Sequence, residues 1–243
     1  MKKLVFILLL IVSCSENHQI EIIIDESDQT ESVVQKIEID SVWSGHRVNF
    51  SLLTHKDRQY IAYYNSNRNM IVGQRDLTDN KFDIYRMPAP KRLKNLEEKR
   101  SRISATEVGW DSHNSITVAV DKMGYIHLSG NMHVDSLTYF KSQKPNDIFS
   151  LKRKFPMVGP NELRATYPKF MLTKDQDLIF HYRDGGSGNG NEIYNIYSTD
   201  KKSWTRMLDL PLTDGQGLMN AYQSQPELWE ERVWYSGSMA LGS

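Results

Sequence analysis

Tyr60-Ile61-Ala62-Tyr63-Tyr64, Asn69-Met70-Ile71-Val72-Gly73-Gln74 and Phe82-Asp83-Ile84-Tyr85-Arg86-Met87 are three apolar and aromatic runs separated by short polar connections. Runs of this length and composition between turn formers read as consecutive antiparallel strands. The triplet recurs twice. Tyr125 to Ser129, Ser136 to Lys141 and Ile148 to Arg153 form the second copy, and Leu178 to Tyr182, Ile193 to Ser198 and Trp204 to Met207 the third. Their starts lie 65 and 53 residues apart, and one further strand precedes each later copy, at Ser115 to Val120 and Lys169 to Thr173. Four antiparallel strands repeated at about 40–60 residues are the signature of a propeller blade, with the preceding strand innermost. The expected fold is therefore all-β: a β-propeller, as an incomplete arc of about three to four blades of four-stranded antiparallel sheets. A β-sandwich is the competing arrangement.

The ends of the chain carry different signals. Lys2 and Lys3, the apolar run Leu4 to Val12, Ser13 and the single cysteine Cys14 read as an export signal. Nine apolar residues in a helix would cover about half of a bilayer core, too little to span it. Ile11-Val12-Ser13-Cys14 resembles a bacterial lipobox, which implies lipidation at Cys14, a membrane anchor, and an exported outer-membrane or periplasmic lipoprotein. The alternative is a plain cleaved signal with an incidental cysteine. Residues 15–36 read as a polar tether and 37–226 as the partial propeller. Residues 227–243 read as an irregular tail, and Lys91 to Arg102 as a solvated loop or short surface helix. The tail supplies no strand expected to latch onto the first blade, which reads as a truncated arc with unpaired sheet edges.

Lys+Arg and Asp+Glu are equal at 30 each, so no overall field favours nucleic acid. With its only cysteine assigned to lipid, the mature domain can build neither a disulfide nor a cysteine-bound metal site. No cofactor and no metal is expected.

The residues suited to chemistry cluster near the blade starts: Asp111-Ser112-His113-Asn114, Gly130-Asn131-Met132-His133, Ala165-Thr166-Tyr167-Pro168 and His181-Tyr182-Arg183-Asp184. In a propeller, corresponding positions of successive inner strands converge on one mouth. Two histidines, a tyrosine and an arginine meeting there suit acid–base work on an anion. Each has a plainer reading when taken alone: a satisfied structural histidine, a packing tyrosine, or an Arg183-Asp184 turn ion pair. His127 falls on the opposite strand face and reads as structural.

Val42-Trp43-Ser44-Gly45-His46, Gly109 to Ser115, Gly124-Tyr125-Ile126-His127 and Gly130 to His133 resemble the hallmark stretches of a BNR-repeat β-propeller family that includes the ulvan lyases, polysaccharide lyase families 24 and 25. The resemblance covers residues 38 to 226. It implies an active site of two histidines about twenty residues apart and a tyrosine followed sixteen residues later by an arginine. His113 and His133 are 20 apart, and Tyr167 and Arg183 are 16 apart. These four are the implied catalytic residues, with His46, Asn114 and Asn131 as sugar contacts. The implied activity is cleavage of a uronate-containing, ulvan-like acidic polysaccharide by β-elimination, and the implied partner is that polysaccharide. The resemblance also leaves open a structural ion, for which the sequence shows no compact ligand cluster.

Such a lyase removes the weakly acidic C5 proton of a uronate and expels the oxygen at C4. Arg183, with a planar, permanently charged fork, is suited to neutralise the carboxylate. Between His113, Tyr167 and His133 the spacing does not distinguish base from acid. Two alternatives remain: a non-catalytic glycan-binding propeller, and a sialidase-like glycoside hydrolase, for which no arginine triad with paired acid and nucleophile is evident. Ser198 to Trp204 resembles a degraded Asp-box and reads as a blade turn. Gly185 to Gly190 joins two strands rather than opening a helix, which argues against a phosphate cradle.

Overall fold

The first triplet forms the last three strands of a four-stranded antiparallel sheet, ordered β1 (Ser51–His55), β2 (Arg58–Tyr64), β3 (Met70–Asp76) and β4 (Asp83–Arg86). This computed structural model describes residues 35–45, 47–89, 104–223, 227–229, 232–234 and 237–241. The second sheet is β5 (Ile116–Val120), β6 (Ile126–Gly130), β8 (Tyr139–Ser142) and β9 (Leu151–Arg153), with a 3₁₀ turn at Ile148–Ser150 leading into its last strand. The third is β10 (Ala165–Leu172), β11 (Leu178–Asp184), β12 (Asn191–Ser198) and β13 (Ser203–Arg206). The short strand β7 (His133–Asp135) leaves the second sheet and pairs with β10, so the third sheet has five strands.

Burial follows from stacking. Every residue of β5 and of β6 is buried, whereas β4 is mostly exposed. A strand covered on both faces reads as a continuous apolar run, and one at the rim does not. Two cores lie between sheets. One joins Tyr60, Met70 and Val72 of the first sheet to Val118, Leu128 and Phe140 of the second. The other joins Tyr139 of the second to Phe170, Phe180, Tyr182 and Trp204 of the third. The inner strands of successive sheets adjoin: the Val118 amide donates to Ser51 Oγ at 3.2 Å and the Phe170 amide to Thr117 Oγ1 at 3.3 Å. Sheets stacked face to face with adjoining inner strands are propeller blades.

The tail departs from expectation. Residues 227–243 were expected to be irregular, yet they contain β15 (Glu227–Trp229), β16 (Arg232–Trp234) and β17 (Gly237–Leu241). β15 pairs with β16, and β17 pairs with β14 (Met219–Gln223). The small residues of Gly237-Ser238-Met239-Ala240-Leu241 hide a strand from a composition-based reading, because pairing rather than propensity makes it one. The export signal with Cys14, nearly all of the tether, and Lys91 to Arg102 lie outside the described residues.

His127 is structural, as its strand face indicated. It is fully buried, with Nδ1 2.8 Å from the Tyr139 hydroxyl and Nε2 3.4 Å from Asp121 Oδ2. The Tyr139 hydroxyl also accepts from Trp204 Nε1 at 2.9 Å. Burial draws the His127 pKa below its ordinary 6.5 despite the Asp121 carboxylate. The folded state thus holds this imidazole neutral, while the unfolded chain protonates it below pH 6.5. Stability is therefore lost as pH falls from about 6.5, with a slope of up to about 1.4 kcal/mol per pH unit from this group. Denaturant unfolding of wild type and His127→Gln at neutral and mildly acidic pH checks this. A shallower acid loss in the variant is expected, and equal slopes would contradict it.

Candidate active site

The Asp111-Ser112-His113 turn comes immediately before β5. Asp111 Oδ1 accepts the His113 amide at 3.0 Å and His113 Nδ1 at 2.6 Å, so a single carboxylate oxygen fixes both the turn and the ring. The Asn114 side chain donates to the Asp111 carbonyl at 3.0 Å. The β6 end lies against this turn. A Cβ at Gly130 would come within 2.9 Å of the Ser115 carbonyl, which is why glycine stands there, and the Asn131 amide donates to that same carbonyl at 3.1 Å.

Beyond Gly130 the chain takes two left-handed residues, Asn131 at φ 60° and Val134 at φ 56°, on either side of the two-residue segment that carries His133. A β-branched residue at positive φ is uncommon and strained. The Val134 amide donates to Thr166 Oγ1 at 2.8 Å and β7 pairs with β10, so this excursion delivers His133 from the second blade to the third. His133 Nδ1 lies 2.6 Å from Asp111 Oδ2. The two imidazoles stack with centroids 4.0 Å apart and planes 16° from parallel.

A bulge places the tyrosine. Thr166 pairs with Arg183 and Lys169 with His181, so Tyr167 and Pro168 together oppose Tyr182 alone. Tyr167 takes φ 57°, which costs about 1–3 kcal/mol for a residue of this kind. Its ring centroid stands 5.7 Å from that of His113, and Arg183 Cζ lies 4.9 Å from it. Arg183 is only 3% exposed. His113, His133, Tyr167 and Arg183 therefore meet in one place.

The sequence places Asp111 only within its turn, and the structure shows it joining the two histidines. Burial alone would raise its pKa, but the His113 amide and both imidazoles donate to it and hold it well below the usual carboxylate range. An ionised carboxylate only accepts, so both Nδ1 atoms donate to it, and in the neutral form of each ring the lone pair is then on Nε2. The pattern Asp-x-His, with the carboxylate able to bond an amide two residues on, is the signal that could have found it.

The sugar contacts divide differently. Asn114 and Asn131 are both fully buried, which corrects their expected place on the substrate surface. Asn131 Nδ2 donates to the carbonyls of Ala105 and Glu107 at 3.1 and 2.9 Å, so both asparagines hold the histidine-bearing segments. His46 lies outside the described residues. Trp110, beside Asp111 in the chain, is 74% exposed and packs edge to face on Trp43 with centroids 5.2 Å apart. The Ser198 to Trp204 and Gly185 to Gly190 segments are both strand connections, as read.

Asp111, His113 and His133 also form a compact donor cluster that the sequence did not show, with ligand atoms within 4.8 Å of one another. The 2.6 Å spacings between Nδ1 and carboxylate oxygen are those of a charge-assisted hydrogen bond, however, and leave a proton rather than a cation between them.

A family profile described as "BNR repeat-containing family member" matches residues 58–237. A curated relative, "Ulvan lyase, short isoform" of Alteromonas sp. (strain LOR), is 26% identical over 175 residues, covering 54% of this chain and 33% of the relative. "Ulvan lyase, long isoform" of Glaciecola sp. (strain KUL10) is 32% identical over 102 residues, covering 42% of this chain and 10% of the relative. The crystal structure of the polysaccharide lyase Uly1 superposes with a TM-score of 0.62 at 15% identity, over 86% of this chain and 52% of that one. This last likeness concerns the fold. The matched region spans a third or less of these curated relatives and about half of the superposed structure.

Proposed function

The chain belongs to the BNR repeat-containing family, and on that footing we propose that it cleaves a uronate-containing, ulvan-like acidic polysaccharide by β-elimination. The observation that carries the reading is the meeting of two carboxylate-bridged imidazoles, a phenol and a buried guanidinium within ring-contact distances. The kinship with ulvan lyases supports the substrate class.

The chemistry follows from the protonation states. Arg183 pairs with the uronate carboxylate and offsets the negative charge that builds on it as C5 loses its proton. His113, with Nδ1–H fixed on Asp111, presents a basic Nε2 and takes that proton. The electron pair forms the C4–C5 double bond as the C4–O bond breaks. Tyr167, a phenol that ordinarily keeps its proton at neutral pH, donates it to the leaving oxygen. His133 shares the carboxylate and stacks on His113, so Asp111 balances the one positive charge that the imidazole pair gains.

Incubating the full chain with ulvan and following ultraviolet absorbance tests the reading. A steady rise from the unsaturated uronate is expected. New reducing ends without absorbance would instead favour hydrolysis, and binding without either product a purely glycan-binding propeller.

A further inference from the structure

A cavity of about 430 Å³ opens between the second and third blades, lined mainly by their outer strands. Tyr125, which lines it, precedes β6, whereas the His133 segment follows β6. Most of the cavity's other lining residues come from β8, β12 and β13 and the turns beside them, and none of them belongs to the cluster of His113, His133, Tyr167 and Arg183. The cavity is therefore distinct from the site above.

Its lining combines aromatic faces with cations and no carboxylate: Tyr125, Tyr197 and Trp204 with Lys141, Lys154 and Lys202. Lys141 is half-buried, donates to the Tyr197 hydroxyl, and holds Nζ 4.8 Å from the Tyr125 ring and 4.7 Å from the Tyr197 ring. Lys202 Nζ stands 6.0 Å from the Tyr125 ring. Among the described residues no carboxylate makes an ion pair with any of these lysines. The nearby Asp121 is engaged by the Met123 and Tyr125 amides and by His127. Burial above all, helped by the charges of Lys202 and Lys154, draws the Lys141 pKa down against the pull of Asp121. Three like charges converging without a counter-ion are unfavourable unless an anion joins them.

We propose that this cavity is a second saccharide-binding site, which holds an anionic sugar unit by ring stacking on its aromatic wall and by charge pairing with its three lysines. Sugar rings present apolar faces to aromatic side chains, and a sulfate or carboxylate substituent answers the lysines. The volume suits one or two sugar units. The site would keep the protein on an acidic polysaccharide independently of bond cleavage.

Short dextran sulfate is a suitable probe because it contains no uronate and cannot undergo the elimination, so failure here is separable from failure of the lyase reading. Titration of the full chain should show affinity at least about tenfold above that for neutral dextran of equal length, and Lys154→Ala/Lys202→Ala should lower it by about tenfold. Both lysines are exposed, and their replacement leaves the core intact. A charge-matched control, Lys56→Ala/Lys81→Ala, changes lysines outside the cavity and should retain affinity. Undiminished affinity in the cavity variant, an equal loss in the control, or equal affinity for neutral dextran would each overturn the proposal.

Discussion

On the proposed elimination, Asp111→Asn is expected to lower the rate of polysaccharide cleavage by about 10³–10⁴-fold while the blades remain folded. The carboxylate accepts from two Nδ1 atoms and one amide. An asparagine offers one acceptor oxygen and replaces the other with a donor, so one imidazole must lose its bond or turn its proton onto Nε2. Either change removes the lone pair that meets C5, or the balancing charge when the proton arrives. The structural cost is about 1–3 kcal/mol, since the site is half-buried and the cores lie elsewhere. Steady-state kinetics alongside denaturant unfolding separates the two effects. A variant that unfolds normally and keeps its rate would show that the bridge has no part in the chemistry.

Tyr167→Phe is the second large effect. It keeps the ring beside Arg183 and His113, keeps the bulge, and removes only the hydroxyl. If that hydroxyl protonates the leaving oxygen, kcat falls by about 10²–10⁴-fold while KM changes little, because the carboxylate clamp at Arg183 is untouched. A rise in KM with unchanged kcat would instead make Tyr167 a binding residue. Substitution by alanine is less informative, as it also alters the strained backbone at φ 57°.

The three blades were legible because strand triplets such as Tyr60 to Met87 repeat with turn formers between them, and because burial on both faces leaves runs of mostly β-branched and apolar residues like Ile116 to Val120. The tail strands were not legible, since Gly237 to Leu241 owes its conformation to pairing with β14 rather than to its own composition. At the site, the four catalytic candidates stood out through their place near the blade starts and through the spacings that the family resemblance implies, and the fold brings them together. What joins them was hidden. Neither the bulge at Tyr167 nor the crossing of β7 into the third blade has a sequence signature, because both depend on the partner strand. Asn114 and Asn131 looked like sugar contacts because polarity does not reveal burial. The Asn114 amide is turned back onto the Asp111 carbonyl of its own turn, and the Asn131 amide faces the carbonyls of Ala105 and Glu107, which can be known only once that segment is placed.

The central claim is that Arg183, His113 and Tyr167 together carry out an elimination. Mass spectrometry of the fragments released from ulvan in ¹⁸O-enriched water tests it most directly. Elimination predicts fragments with an unsaturated uronate end, each lighter by one water than its hydrolytic counterpart and free of the isotope at the cleaved bond. Fragments that have gained labelled oxygen, or a polysaccharide left uncut by the folded protein, would contradict the account.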